Sequence, residues 1–583
     1  MIQNNLEIKG ITIDGLETKL TQFADDTTLT LDGSQHSLQL ALNTLEVFGS
    51  ISGLKMNKEK TKVIWIGRKK FTKEKLNVPT KLEWGHSSFN LLGIEFSTNL
   101  ISMPEKNYKK AIEKVKVLIN KWKNRYLTPL GRITVIKTHL ISQCIHLIST
   151  LPRSESFLKE LNNILYQFLW NGKPDKIKRT TINLSLNQGG MKMINLFNFE
   201  KALKVNWVKR LISQPNSQWC KLLTTLNKSI TRIFYFGDQW IHKIIHKIDN
   251  TFWRNVLQDW QTLIQIQQKS KNNQLHRQCI WYNSEISKEP LFYPDWYKKG
   301  IHLIADIFDN GQIMSKENIN KKFGININLM NYYTVKKKIA LFISKQRLDI
   351  HNQPIERPTY PTHLDPIFSL KKGCRKFYEN FNSQQIQNEK PACETIWMNL
   401  IRNADINTQN DEKWKQVYKV CFYSINDNDV IWLQYRILYK ILGTKSYLKK
   451  LKISSNNICS LCNSSEETIE HLFSSCTETT QLWNDIQNWI NHRISVNLTL
   501  TSQMKILGYL KNDQHFWPLN FIIMTTKKYI FYSTKKSKIL CITTLQQEVK
   551  KHYLEQKTIY RKNLQIEEFT KKWMIWKNIF QGL

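Results

Sequence analysis

Two rhythms of apolar residues divide the chain. Over residues 18–31, Leu20, Gln22 and Phe23 and then Leu29, Thr30 and Leu31 alternate apolar with polar on either side of Ala24-Asp25-Asp26. That pattern predicts two strands joined by a tight turn. Leu38, Leu42, Leu45 and Phe48 then recur at helical spacing, with Gly49 and Gly53 near the predicted helix end. A strand over 63–66 and a hairpin near Phe89 to Phe96 follow. After about residue 105 the rhythm becomes that of amphipathic helix, with Ala111, Val115, Leu118, Ile119 and Trp122 on one stripe and lysines between them. Helical segments dominate from there on, so the predicted fold class is α+β, predominantly α-helical. Pro354 to Pro366 and Ser454 to Asn457 are the preferred linkers. There is no internal repeat.

Composition adds size and partner. The 583 residues are enough for three or four domains, and 41% hydrophobic content with 19 Trp, 26 Phe and 21 Tyr marks a globular chain. Lys and Arg number 85 against 47 acidic residues, a net charge of +38. Self-repulsion on this scale points to a polyanionic partner, nucleic acid. A membrane is the competing polyanion, but no apolar run reaches the roughly 18 residues a span requires, and no signal peptide opens the chain. Phe516 to Met524, the most apolar stretch, reads as a buried helix. Seven of the ten cysteines are scattered without a pairing pattern. That favours reduced thiols and an intracellular location, in nucleus or cytoplasm.

Chemistry first appears at Asp25 and Asp26. Adjacent carboxylates repel unless solvated or bound to a cation, and Mg²⁺ prefers such oxygen ligands. Asp-Asp alone is common in solvated turns, so the context matters more than the pair. That context is Gly10 to Asp26, ending Phe-Ala-Asp-Asp, then a helix, then Ser52-Gly53-Leu54-Lys55-Met56-Asn57-Lys58-Glu59-Lys60-Thr61-Lys62, then Leu91-Leu92-Gly93-Ile94. In this order the segments resemble three successive palm motifs of LINE-type (non-LTR) retrotransposon reverse transcriptases. The resemblance implies that Asp25 and Asp26 bind catalytic Mg²⁺, that Lys60 or Lys55 donates a proton to pyrophosphate, and that the last hairpin grips the primer. Leu91 stands where the family more often has tyrosine. The resemblance continues through Trp122, Gly131-Arg132-Ile133, Lys137, Phe168-Leu169-Trp170-Asn171-Gly172-Lys173 and Gly189-Gly190-Met191, where the family has its thumb.

A second group is Cys459-x2-Cys462-x8-His471-x4-Cys476. A C-x2-C pair supplies two thiolates from a tight knuckle, and a histidine and cysteine from a following helix close a tetrahedral Zn²⁺ site. With no open position, such a site is structural. Glu467-Thr468, Glu470-His471-Leu472-Phe473 and Trp483 around it resemble the zinc-binding region that follows LINE-type polymerases. His242 and His246 are four apart but sit among lysines, which reads as a basic helical face. No Walker phosphate loop, H-E-x-x-H helix or G-x-S-x-G elbow is present.

The expected organisation is a partial palm at 1–97, a helical thumb and connector at 98–250, a basic helical region at 251–450, a zinc module at 451–485 and a helical tail at 486–583. The expected function is an RNA-directed DNA polymerase (nucleotidyltransferase) copying element RNA at a target-site DNA primer, with the rest of the element's polyprotein as a further partner. In the family a third carboxylate lies on an earlier palm strand, and only 24 residues precede Asp25. The chain is therefore expected to be incomplete and inactive by itself. The alternative is a truncated, non-catalytic RNA- or DNA-binding protein with a structural zinc.

Overall fold

The computed structural model describes residues 1–79, 82–84, 87–269, 275–309, 311–346, 359–386, 390–402, 410–510 and 517–580. The amino-terminal alternation forms hairpins. Leu20–Phe23 pairs antiparallel with Asp26–Leu29, Phe23 opposite Asp26, leaving Ala24 and Asp25 as a two-residue turn. So short a turn needs left-handed backbone, which Ala24 supplies at φ 52°. Ile11–Ile13 and Leu16–Thr18 pair around Asp14 and Gly15, so Asp14 stands in a turn. Ser34 then caps helix Gln35–Ser52 by accepting from Ser37 N, and Gly53 ends it at φ 75°. Ala41 on its inner face shares a small core with Ile2 and Ile8, flanked by Leu29, Leu31 and Leu45.

The strand expected at 63–66 is shorter, Lys62–Val63, paired parallel with Glu83–Trp84. Its backbone departs at Trp65, whose ring turns to Trp84 at 5.7 Å, and left-handed Gly67 follows. Ser88–Leu91 and Ile94–Ser97 form the last amino-terminal hairpin. Among the described residues, strands pair only in twos. Helix then takes over: Met103–Trp122 buries Tyr108, Ala111, Ile112 and Val115, and helix dominates the rest of the chain.

The chain forms two compact units, each assembled from segments far apart in sequence. One comprises 1–116, 142–161 and 196–384; the other comprises 117–141, 162–195 and 385–583. In the first, helices Leu196–Ser213, Asp238–Ile245 and Thr251–Lys269 bring Val205, Val208, Ile241 and Trp260 into a core with Trp281. A charged group lies inside it. Arg153 donates to Glu200 at 2.9 and 2.6 Å and to Asp259 at 2.5 Å, and both carboxylate side chains are 3% exposed. Fully buried Lys204 donates to Leu151 O. Burial, then the Asp259 charge, pushes the Glu200 carboxyl up to about 7, and burial holds Lys204 down to about 8.

The expected Pro-rich linker is corrected where it is described. Residues 354–358 lie outside the described residues, but Thr362, His363, Leu364, Pro366 and Ile367 are buried. Asp365 pairs with Arg277, and His363 Nε2 lies 2.9 Å from Phe234 O. Pro366 opens helix Asp365–Phe368, where its fixed φ suits a first turn, so these prolines shape packed structure rather than a spacer.

In the second unit the apolar stretch is helix Trp517–Lys535, with Leu519, Phe521, Ile522, Ile523 and Met524 buried; Phe516 lies outside the described residues. No helix among the described residues is long and apolar enough to cross a membrane. Gly189 lies against two tyrosines: Tyr435 and Tyr439 hydroxyls donate to its carbonyl at 3.0 and 2.7 Å. A Cβ there would fall 2.7 Å from Tyr418 Cε1, and one on Gly190 would fall 2.1 Å from Leu184 O. Only glycine fits at either position.

Replacing Arg153 by Ala strands Glu200 and Asp259 in the core without their cation. The expected cost is about 3–5 kcal/mol, read as unfolding at lower urea of the unit that holds Arg153. A loss below about 1 kcal/mol, typical of exposed pairs, would contradict the network.

Candidate metal centre

Local backbone chemistry builds the cysteine and histidine cluster. Ile458 and Glu466 bridge antiparallel, Cys459 N donates to Ser465 O at 2.8 Å, and Asn463 N donates to Cys459 O at 3.0 Å. Asn463 takes φ 55°, a conformation asparagine tolerates, and this closes the knuckle that turns Cys459 and Cys462 to the same side. His471 N donates to Thr468 Oγ1 at 3.0 Å, starting a helical turn. That turn, His471–Ser475, is a π-helix, and Cys476 N reaches back to His471 O at 2.8 Å. Cys476 then stands at the start of helix Thr477–Ile494 without capping it through its side chain, which leaves the thiol for the cluster. The widened turn carries Cys476 back over His471, a local irregularity common at functional sites.

The three Sγ atoms and the histidine nitrogen all lie within 4.8 Å of one another, and Cys462 Sγ is 3.3 Å from His471 Nε2. Ligands bound to zinc at about 2.0–2.3 Å stand roughly 3.5 Å apart, so separations from 3.3 Å up to 4.8 Å are within a small adjustment of a closed cage. The donor set fits the ion. A hydrogen bond with Cys459 draws the Cys476 thiol down to about 7, while that contact, then burial, pushes Cys459 up to about 12. Burial raises Cys462, but hydrogen bonds from Ser464 and the backbone of Ser465 outweigh it and bring the thiol down to about 7. Thiolate is the form that binds metal.

Glu467 supports the knuckle from beneath, a role spacing alone does not reveal. It is 1% exposed and accepts from Lys445 N at 3.0 Å and Ser460 N at 3.4 Å. Leu472 and Phe473 are fully buried, and Trp483 Nε1 donates to Phe473 O at 2.9 Å. The one available signal was its place among apolar neighbours Ile469 and Leu472, where a glutamate needs partners.

Asp25, Asp26 and Lys60 are exposed. Lys60 sits in a turn where its N–H donates to Asn57 O at 3.2 Å. Among the described residues, no ion pair joins Lys60 to either aspartate. The cysteine and histidine cluster is also the only group of three or more His, Cys, Asp or Glu side chains among the described residues placed to hold a metal. His242 and His246 pack edge to face at 4.9 Å, outside any such group.

Residues 392–483 match the family described as zinc-binding in reverse transcriptase. A 290-residue stretch is 22% identical to the "Transposon TX1 uncharacterized 149 kDa protein" of Xenopus laevis, covering 48% of this chain and 21% of that protein. The chain is related to non-LTR retrotransposon reverse transcriptases. A stretch of 119 residues is 29% identical to a "Putative ribonuclease H protein" of Arabidopsis thaliana, covering 19% of each. The chain thus spans about a fifth of the length of these relatives. The matched zinc-binding region lies in the second unit, as does the Gly189-Gly190 segment packed on its tyrosines.

Changing Glu467 to Ala leaves two partly buried N–H groups without an acceptor. The expected loss is about 1–3 kcal/mol, measured as a fall in the melting temperature of the metal-loaded chain. An unchanged melting temperature would contradict the supporting role.

Proposed function

We propose that this chain serves reverse transcription of a LINE-type element, copying element RNA into DNA from a target-site primer. The observation that carries the reading is the four-ligand cluster inside a stretch that matches a reverse-transcriptase zinc-binding region. Cys459, Cys462, His471 and Cys476 hold a structural Zn²⁺, because four protein ligands leave no position for substrate. Asp25 and Asp26 offer carboxylates to the Mg²⁺ ions of nucleotidyl transfer, and Lys60 follows on the next segment as a proton donor. The net charge of +38 supplies the phosphate-binding field for RNA and DNA.

One observation favours a binding role over catalysis by this chain alone. Two-metal transfer takes carboxylates from neighbouring strands, and Asp25 and Asp26 gain no third acidic ligand among the described residues. Catalysis then depends on completion of the site by another part of the element's polyprotein.

Elemental analysis should find one zinc per chain, lost in the Cys459→Ser, Cys462→Ser double variant; unchanged zinc would sink the assignment. Incubated with primed RNA template, Mg²⁺ and deoxynucleotides, the chain should not extend the primer. Extension that disappears in Asp25→Ala would overturn the dependence on a completing partner.

A further inference from the structure

The second unit contains a guanidinium without an acceptor. The side chain of Arg436, on helix Asn428–Leu438, makes no ion pair or hydrogen bond among the described residues, and its Nε is buried unpartnered. Aromatic faces hold it instead, with Trp432 at 5.7 Å and Phe531 at 5.4 Å. A half-buried cation whose Nε has no acceptor and whose terminal nitrogens have no partner is costly unless an anion reaches those terminal nitrogens. Other cations gather here. The Lys176 ammonium is held below its ordinary value by partial burial, then by the charges of Lys173 and Arg436. Lys535 Nζ lies 5.4 Å from the same Phe531 ring.

Two carboxylates face the same place. Asp427 is occupied, accepting from Lys528 at 2.7 Å and from Asp429 N and Val430 N. Asp429 is within electrostatic reach of Arg436 and Tyr126 but pairs with neither. Two tyrosines share this field: Tyr126 is 85% exposed and Tyr532 is 41% exposed, both within reach of Arg436.

We propose that Arg436 and Lys176 bind a phosphodiester of single-stranded nucleic acid, whose unstacked bases lie on Tyr126 and Tyr532. This rests on the nucleic-acid reading above and deepens it. A guanidinium donates two parallel hydrogen bonds to phosphate, and exposed aromatic rings accept base faces that a duplex keeps stacked and hidden. The site draws on segments near 126, 176, 436 and 532, so only the folded unit presents it.

The test is fluorescence anisotropy of the full chain with oligo(U), oligo(dT) and a duplex of equal length, each across a range of salt. Arg436→Ala should weaken strand binding about tenfold and reduce the log–log salt slope by about 0.7, one phosphate contact. Tyr126→Leu with Tyr532→Leu should also weaken it about tenfold, with the slope unchanged. Asp429→Asn, which removes the competing charge, should tighten it. Tyr126 is so exposed that its loss cannot be blamed on misfolding, and zinc content checks the fold of each variant. Tighter binding of either single strand than of the duplex, lost in these variants, supports the site. Preference for duplex overturns it, as do variants that bind like the parent while the parent binds in a salt-dependent way; in that case the wider reading stands. No binding by the parent chain at low salt overturns both.

Discussion

Three thiols and an imidazole must converge on a space one ion wide, and the segment around them is folded to meet that demand. The ligand atoms lie within 4.8 Å of one another because two local devices act together. Left-handed Asn463 folds the knuckle, and the π turn at His471–Ser475 swings Cys476 over it. Thiols this close repel once ionised, and a divalent ion relieves the repulsion while fixing their positions. Glu467 ties the knuckle's underside to the helix Lys445–Lys450.

The cluster connects outward through a layer of aromatic rings. Glu470, beside His471, pairs with Lys440, whose ammonium lies 4.6 Å from the Trp397 ring. Trp397 Nε1 donates to Leu438 O at 2.8 Å, and Tyr439 next to it donates to Gly189 O. Gly189 comes from more than 200 residues earlier in the chain. Its lack of a side chain lets that loop pack against the Tyr418 ring closely enough for Tyr435 and Tyr439 both to donate to its carbonyl. The zinc region therefore belongs to a larger unit that includes 162–195.

Features governed by near neighbours were legible in the sequence. The Ala24-Asp25 turn, the Gln35–Ser52 helix with its Gly53 stop and the C-x2-C knuckle each follow from residues a few positions apart. Features governed by distant contacts were not. Pro361 and Pro366 carry linker chemistry in sequence yet sit in a core, because Arg277 and Phe234 supply partners from almost a hundred residues or more away. Glu467 and Arg436 look like surface charges, and only the fold shows one satisfied from below and the other left without an acceptor. Asp25 and Asp26 were legible as a pair on a hairpin, but a pair does not define a two-metal site.

Hydrogen–deuterium exchange before and after zinc removal by a chelator tests the central claim, that the Cys459, Cys462, His471 and Cys476 cluster organises the surrounding unit. If it does, protection falls together in 457–476, in helix Asn428–Leu438 and in the Gly189-Gly190 loop. Loss confined to 457–476, or no loss at all, would contradict it.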